Sequence, residues 1–173
     1  MGHSVIKIIR GDITQERVDA IVNATNPSLR PGGGVCGAIH RAGGQAVTQD
    51  CRRVMAERQP LVPGEAVATV AGDLKARYVI HALGPVWKGG KQGEPEELAS
   101  AYRNSIELAD RLGLSSIAFP SISTGIYGYP LMPAANIALR ALRAALERTR
   151  TVREVRIVLY DPDSYEAWLA AAR

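Results

Sequence analysis

Two glycine-bearing segments hold most of the chemistry legible in this chain. Gly32-Gly33-Gly34-Val35-Cys36 puts three consecutive glycines before a helix, so the backbone can approach a ligand closely and helix-terminal N–H groups favour an anion. Ser123-Thr124-Gly125-Ile126-Tyr127-Gly128 makes the same offer, lining up N–H groups around phosphate with no lysine among them. Two such loops suit a diphosphate, although either alone reads as an ordinary glycine turn. Asp12 and Ile13 follow one strand, Asn23 and Asn26 end or follow a second, and Tyr160 ends the last. An ionised aspartate only accepts, an asparagine amide both donates and accepts, and a tyrosine ring stacks.

Other spacings are less productive. Gly32, Gly34 and Gly37 spell GxGxxG, but that dinucleotide fingerprint wants its first glycine directly after a strand, and here Asn23 through Pro31 intervene. The region near Glu57, where a ribose-binding acid should end a second strand, reads as helix. Cys36 and His40 share a helix face, where a thiol and an imidazole can pair. The plainer reading makes Cys36 a small helix-start residue and His40 a packing residue. His81, inside an apolar strand, reads as a satisfied core histidine. No histidine pair has metal-ligand spacing, and Cys36 and Cys51 lack CxxC spacing, so neither a metal site nor a disulfide framework is indicated.

The elements that must hold these groups alternate between strand and helix. Val5 to Arg10, Ala20 to Asn23, Glu65 to Ala71, Tyr78 to Leu83, Ser116 to Pro120 and Val155 to Tyr160 read as strands. Gly37 to about Gln59 suits one or two helices broken near Gly43-Gly44. Lys88 to Gln92 reads as a flexible polar loop. Leu98, Tyr102, Ile106, Ala109 and Leu112 repeat at helical spacing after an acidic, proline-bearing first turn. A further helix from near Pro133 is expected to bury Ile137, Ala141, Leu142 and Ala145, and Asp163 or Ser164 to cap a closing one. This alternation predicts an α/β fold with helices on both faces of a mostly parallel sheet, the ligand lying beyond the carboxyl ends of the strands.

Composition narrows the function classes. At 173 residues, 46% hydrophobic and 22% charged, the chain reads as a single domain, 1–173, with no linker or repeat. The longest uncharged stretch, Leu112 to Leu139, holds Pro120, Pro130 and Pro133 and cannot be a membrane helix. The start, Met1-Gly2-His3-Ser4, runs straight into a strand without the parts of a signal peptide, so a cytoplasmic location is expected. Net charge is +4, and six arginines fall between Arg140 and Arg156, interrupted by Glu147 and Glu154. They read as the solvated face of a helix, which makes nucleic acid a weak candidate partner.

The segments Gly11-Asp12-Ile13-Thr14, Asn23-Ala24-Thr25-Asn26, Gly32-Gly33-Gly34-Val35, Ala38-Ile39-His40, Pro120 through Gly128 and Tyr160-Asp161 stand in the order found in macrodomains. Over nearly its whole length the chain resembles that ADP-ribose-binding family. The resemblance implies a three-layer α/β/α sandwich and ADP-ribose or an ADP-ribosylated protein as partner; no motif in the chain requires a metal or redox cofactor. Asp12 and Ile13 would then read adenine and Tyr160 would stack on it. Gly32, Gly33, Gly34, Val35 and Cys36 with Ser123, Thr124, Gly125, Ile126 and Tyr127 would hold the diphosphate, Tyr127 also covering the distal ribose. Asn26 would bind that ribose, with Asn23 bracing the loop. In hydrolase branches Asn26 and the Gly34-Val35 loop position a water, so hydrolysis of ADP-ribose esters is implied, on protein Asp/Glu or as O-acetyl-ADP-ribose. MacroD-type enzymes carry an aspartate where this chain has Cys36, which favours the alternative of a non-catalytic reader.

Overall fold

The computed structural model describes residues 3–173; Met1 and Gly2, part of the start read above, lie outside them. Six strands form one sheet in the order β1-β6-β5-β2-β4-β3: β1 Val5–Arg10, β2 Ala20–Ala24, β3 Ala66–Val70, β4 Tyr78–Ala82, β5 Ser116–Phe119 and β6 Glu154–Leu159. All neighbours are parallel except β3, which runs against β4. Helices α1 (Gly34–Gly43) and α2 (Gln45–Ala56) cover one face, and α3 (Glu94–Arg111), α4 (Leu131–Leu146) and α5 (Pro162–Ala172) the other. The expected α/β/α sandwich is what forms.

Period-two alternation builds both cores. Ala20, Val22, Ile80, Ala82, Ile117 and Phe119 point to the α3–α5 side, while Ile21, Val79 and Ala118 point to the α1–α2 side. Buried on both faces, these strands read in the sequence as unbroken apolar runs. No helix is long and apolar enough to cross a membrane among the described residues.

Four local expectations are corrected. The first helix begins at Gly34, not Gly37, because glycines at its entry adopt the turn that opens it. In α4 the buried face is Ala134, Ala135, Ala138, Leu139, Leu142 and Ala145, with Ile137 and Ala141 only half-buried. Small residues there let α4 lie close to its neighbours. The cap of α5 is Asp161, whose carboxylate accepts from Ser164 N and Oγ, each at 2.8 Å. Finally α4 stops at Leu146, so only Arg140 and Arg143 of the arginine cluster lie on it. Asp110 accepts from Arg150 N and Thr151 N at 2.9 Å and holds the following turn.

The polar loop before α3 is anchored. Glu94 is 1% exposed and accepts from the N–H groups of Lys88, Gly90 and Gln92 at 2.7–2.8 Å. Burial alone would raise its carboxyl pKa, but these donors outweigh it and bring the value down to about 2. A depressed folded pKa gives stability that is complete above the ordinary value and lost as pH falls toward the folded one. The denaturation-midpoint gap between wild type and Glu94→Gln should therefore shrink between about pH 5 and about pH 2. A gap that stays constant on acidification would contradict this assignment.

Candidate functional site

Parallel pairing places the carboxyl ends of β1, β6, β5, β2 and β4 at one edge of the sheet, and the segments that follow them meet there. Gly11 N–H donates to Leu159 O at 2.9 Å, which extends the β1–β6 register and sets the Asp12 and Tyr160 segments side by side. Asp12 Oδ1 accepts from Thr14 N at 2.9 Å and Thr14 Oγ1 at 2.7 Å, closing a short turn, while Oδ2 has no hydrogen-bond partner among the described residues. Ile13 is buried beneath, and Tyr160 is 79% exposed, a ring turned to solvent rather than a core tyrosine.

After β2 the chain is folded by Asn26. Its Oδ1 accepts from Ser28 N at 3.1 Å and Arg30 N at 3.0 Å, and its Nδ2 donates to Arg30 O at 2.7 Å. Asn26 remains half-exposed, with one amide hydrogen still available. Asn23 is fully buried, so its part in any ligand contact is that of a brace. Thr69 Oγ1 spends its only proton on Val70 O, so the 2.9 Å contact with His81 Nε2 must be a donation from the imidazole. His81 Nδ1 is then the acceptor for Asn23 Nδ2 at 3.1 Å. Burial, with His40 beside it and against the pull of Asp50, holds the His81 pKa down to about 3. The imidazole is neutral and satisfied, as its strand position suggested.

The next segment leads into α1. Gly33 at the helix entry brings no side-chain cap, Gly34 takes φ +55°, and residues 32–34 are exposed, so the first N–H groups of α1 are open to an anion. Cys36 is turned inward: its S–H donates to Arg30 O at 3.5 Å and its sulfur accepts from Asn23 Nδ2 at 3.6 Å. His40 Nδ1 instead meets Thr48 Oγ1 at 3.5 Å. The thiol–imidazole dyad is therefore not formed.

The loop after β5 is held from below and leaves its upper edge unengaged. Tyr102 OH accepts from Ile122 N at 2.9 Å, Trp168 Nε1 donates to Ser121 Oγ at 3.1 Å, and Tyr129 N donates to Ser123 O at 2.9 Å. No hydrogen bond among the described residues takes up the N–H groups of residues 124–127. Ser123 is buried at φ +69° and its hydroxyl is directed away from solvent, so what it can offer is backbone. Ile126 is 93% exposed. Burial pushes the Tyr127 phenol up, with Cys36 adding to it, and the half-buried ring packs against the core on the α1–α2 side of the sheet.

A fifth segment, after β4, escaped the sequence reading. Trp87 N–H donates to Tyr127 O at 2.8 Å, and a Cβ on Gly84 would stand 2.1 Å from Ser123 Oγ. Gly84 is thus the space on which the Ser123 turn rests. The glycine was visible at the carboxyl end of a parallel strand, the same place that singled out the other loops.

The model of the family described as Macro domain matches residues 22–138. A relative from Cronobacter sakazakii named O-acetyl-ADP-ribose deacetylase is 51% identical over 160 residues, covering 92% of this chain and 89% of its own. Among solved structures, an Oceanobacillus iheyensis macrodomain with ADP superposes with a TM-score of 0.93 at 40% identity, covering 98% of this chain and 90% of that one. A Trypanosoma brucei macrodomain in complex with ADP-ribose gives 0.86 at 38% identity, with 97% and 69% covered.

Proposed function

Because the chain belongs to the Macro domain family, we propose that it binds ADP-ribose along this edge and hydrolyses ADP-ribose esters, O-acetyl-ADP-ribose and ADP-ribosyl groups on protein carboxylates. One observation carries the reading: two rows of unengaged backbone N–H groups, at the start of α1 and along residues 124–127, follow the adjacent parallel strands β2 and β5, and neither residues 32–37 nor residues 123–128 contain a lysine or arginine. Oriented backbone dipoles of this kind hold a diphosphate. Asp12 Oδ2 accepts from the adenine amino group, Ile13 N–H faces the ring, and Tyr160 stacks on it. Tyr127 covers the distal ribose, and the remaining Asn26 hydrogen meets its hydroxyls.

In catalysis the Gly34-Val35 backbone and Asn26 hold a water against the ester, and the bound diphosphate orients it. The water's oxygen bonds to the scissile centre as the ester C–O bond breaks, one of its protons passes to the departing oxygen, and the products are ADP-ribose with a free hydroxyl or hemiacetal and a carboxylic acid. Charge is stabilised by fixed N–H dipoles, which need no reorganisation as the reaction proceeds. A reader that binds without turnover is the second reading, favoured by Cys36, whose thiol is committed to Asn23 and Arg30 and supplies no base.

Time courses of ADP-ribose release from O-acetyl-ADP-ribose and from a glutamate-linked mono-ADP-ribosylated protein decide between them. Release from either supports the hydrolase; retained binding with no release from both leaves the reader. Cys36→Asp places an acid in the first turn of α1, where the helix dipole favours it, and restores a base near the water. Turnover should rise at least about tenfold. An unchanged rate in a folded variant that still binds ADP-ribose would remove the base from the account.

For adenine, Asp12→Ala should weaken ADP-ribose by roughly 10-fold, the effect of losing a hydrogen bond to a charged group. The inosine analogue, which lacks the amino group, should lose far less in the same calorimetric titration. Equal losses would show that Asp12 acts only through its turn.

A further inference from the structure

Beneath the ligand edge, on the α1–α2 side of the sheet, His40 of α1, Cys51 of α2 and His81 of β4 are all buried, and each offers a ligating atom within 4.8 Å of the others. Their spacing along the chain gave no sign of this; the fold brings them together. His81 Nε2 and Cys51 Sγ stand 3.6 Å apart. That is the separation of two ligands on a tetrahedral zinc with bonds of about 2.3 Å to sulfur and about 2.0 Å to nitrogen. His40 Nε2 has no hydrogen-bond partner among the described residues, an unusual state for a buried ring nitrogen.

We propose that His40, Cys51 and His81 form a closed structural site for Zn2+, separate from the ADP-ribose edge. Two imidazoles and a thiolate are the donor set of a borderline cation and not of Mg2+ or Ca2+. On binding, the Cys51 thiol proton leaves to solvent and the His81 proton moves from Nε2 to Nδ1. Nδ1–H then donates to the Asn23 amide, turned to present its oxygen, and so fixes the ring. His40 coordinates through Nε2, with its own proton on Nδ1 toward Thr48. Thr69 Oγ1, 2.9 Å from His81 Nε2, is an oxygen donor beside the cluster for the fourth position. The cation would tie α1 and α2 to β4, and with them the helix whose first turn faces the diphosphate.

The test uses Co2+ and Zn2+ on metal-stripped whole protein, added to the folded chain and, because the cluster is buried, also during refolding from denaturant. One equivalent of Co2+ should give intense visible bands of tetrahedral cobalt and a near-ultraviolet thiolate charge-transfer band. Cys51→Ala should abolish the charge-transfer band, as should Cys51→Ser if the alanine variant does not fold. Cys36→Ala should keep it. Zn2+ at about a hundred times its Kd should raise the Tm of wild type by roughly 5–10 °C and leave Cys51→Ala unmoved. Absence of the charge-transfer band in wild type under both protocols overturns the proposal, as does a band that survives loss of Cys51 or depends on Cys36.

Discussion

Gly37→Ala should cost at least about 30-fold in ADP-ribose affinity while leaving the far-ultraviolet spectrum of the protein intact. A Cβ at this position would lie 2.2 Å from Gly32 O, a backbone atom with no rotamer to change. The carbonyl would have to retreat by about 1 Å, the scale of overpacking that costs about 1–3 kcal/mol and of misplacement that costs about 100-fold at a preorganised site. Gly33→Ala is the companion, since a Cβ there meets nothing within 4 Å and its φ of −88° suits any residue. Its Tm should match wild type, whereas Gly37→Ala should fall by several degrees. Calorimetric affinities and melting curves for the pair check this, and an unperturbed Gly37→Ala would mean that the close approach does not shape the site.

Asn26→Ala should lower kcat by about 100-fold or more, the usual effect of removing one preorganised donor near developing charge. Three hydrogen bonds make Asn26 the fold of its own loop, so part of the loss would be structural. Asn26→Asp separates the parts. It keeps the acceptor for Ser28 N and Arg30 N, but gives up the donor and sets a carboxylate against Arg30 O and the diphosphate. Loop order, read by amide protection of residues 28–30, should survive in the aspartate variant and fail in the alanine one, with turnover lost in both. Steady-state kinetics showing near-wild-type kcat in Asn26→Asp would relieve this amide of any contact with the reacting ribose.

What the sequence disclosed and what it withheld divide along the range of the interactions. The strands were legible because Ala20 to Val22 and Ile117 to Phe119 are buried on both faces, a condition written in consecutive residues. The convergence of the candidate segments was legible because parallel strands bring their carboxyl ends together, which sets the residues that follow β1, β2 and β6 at one edge of the sheet. The helix start at Gly34, the outward rotation of Ile137 and the cap at Asp161 were missed by a few residues, since neighbours compete for each such role. Glu94 and Gly84 were missed for a different reason. An acidic residue opening a helix and a glycine before a proline are commonplace in sequence, and only the loop folded back onto Glu94 and the distant Ser123 against Gly84 give them weight. The meeting of His40, Cys51 and His81 is non-local in the same way.

The strand order carries a consequence for synthesis. β1 has a single neighbour in the sheet, and that neighbour is β6, the last strand made. As the chain leaves the ribosome, the loops after β2 and β5 can settle around their own strands while β1 still waits for a partner. The β1–β6 pairing therefore waits for the last strand of the sheet, and only that pairing sets Asp12 and Tyr160, which follow the two strands, side by side. A chain whose β6 has not yet paired would hold the loops after β2 and β5 without the Asp12 and Tyr160 end of the same sheet edge.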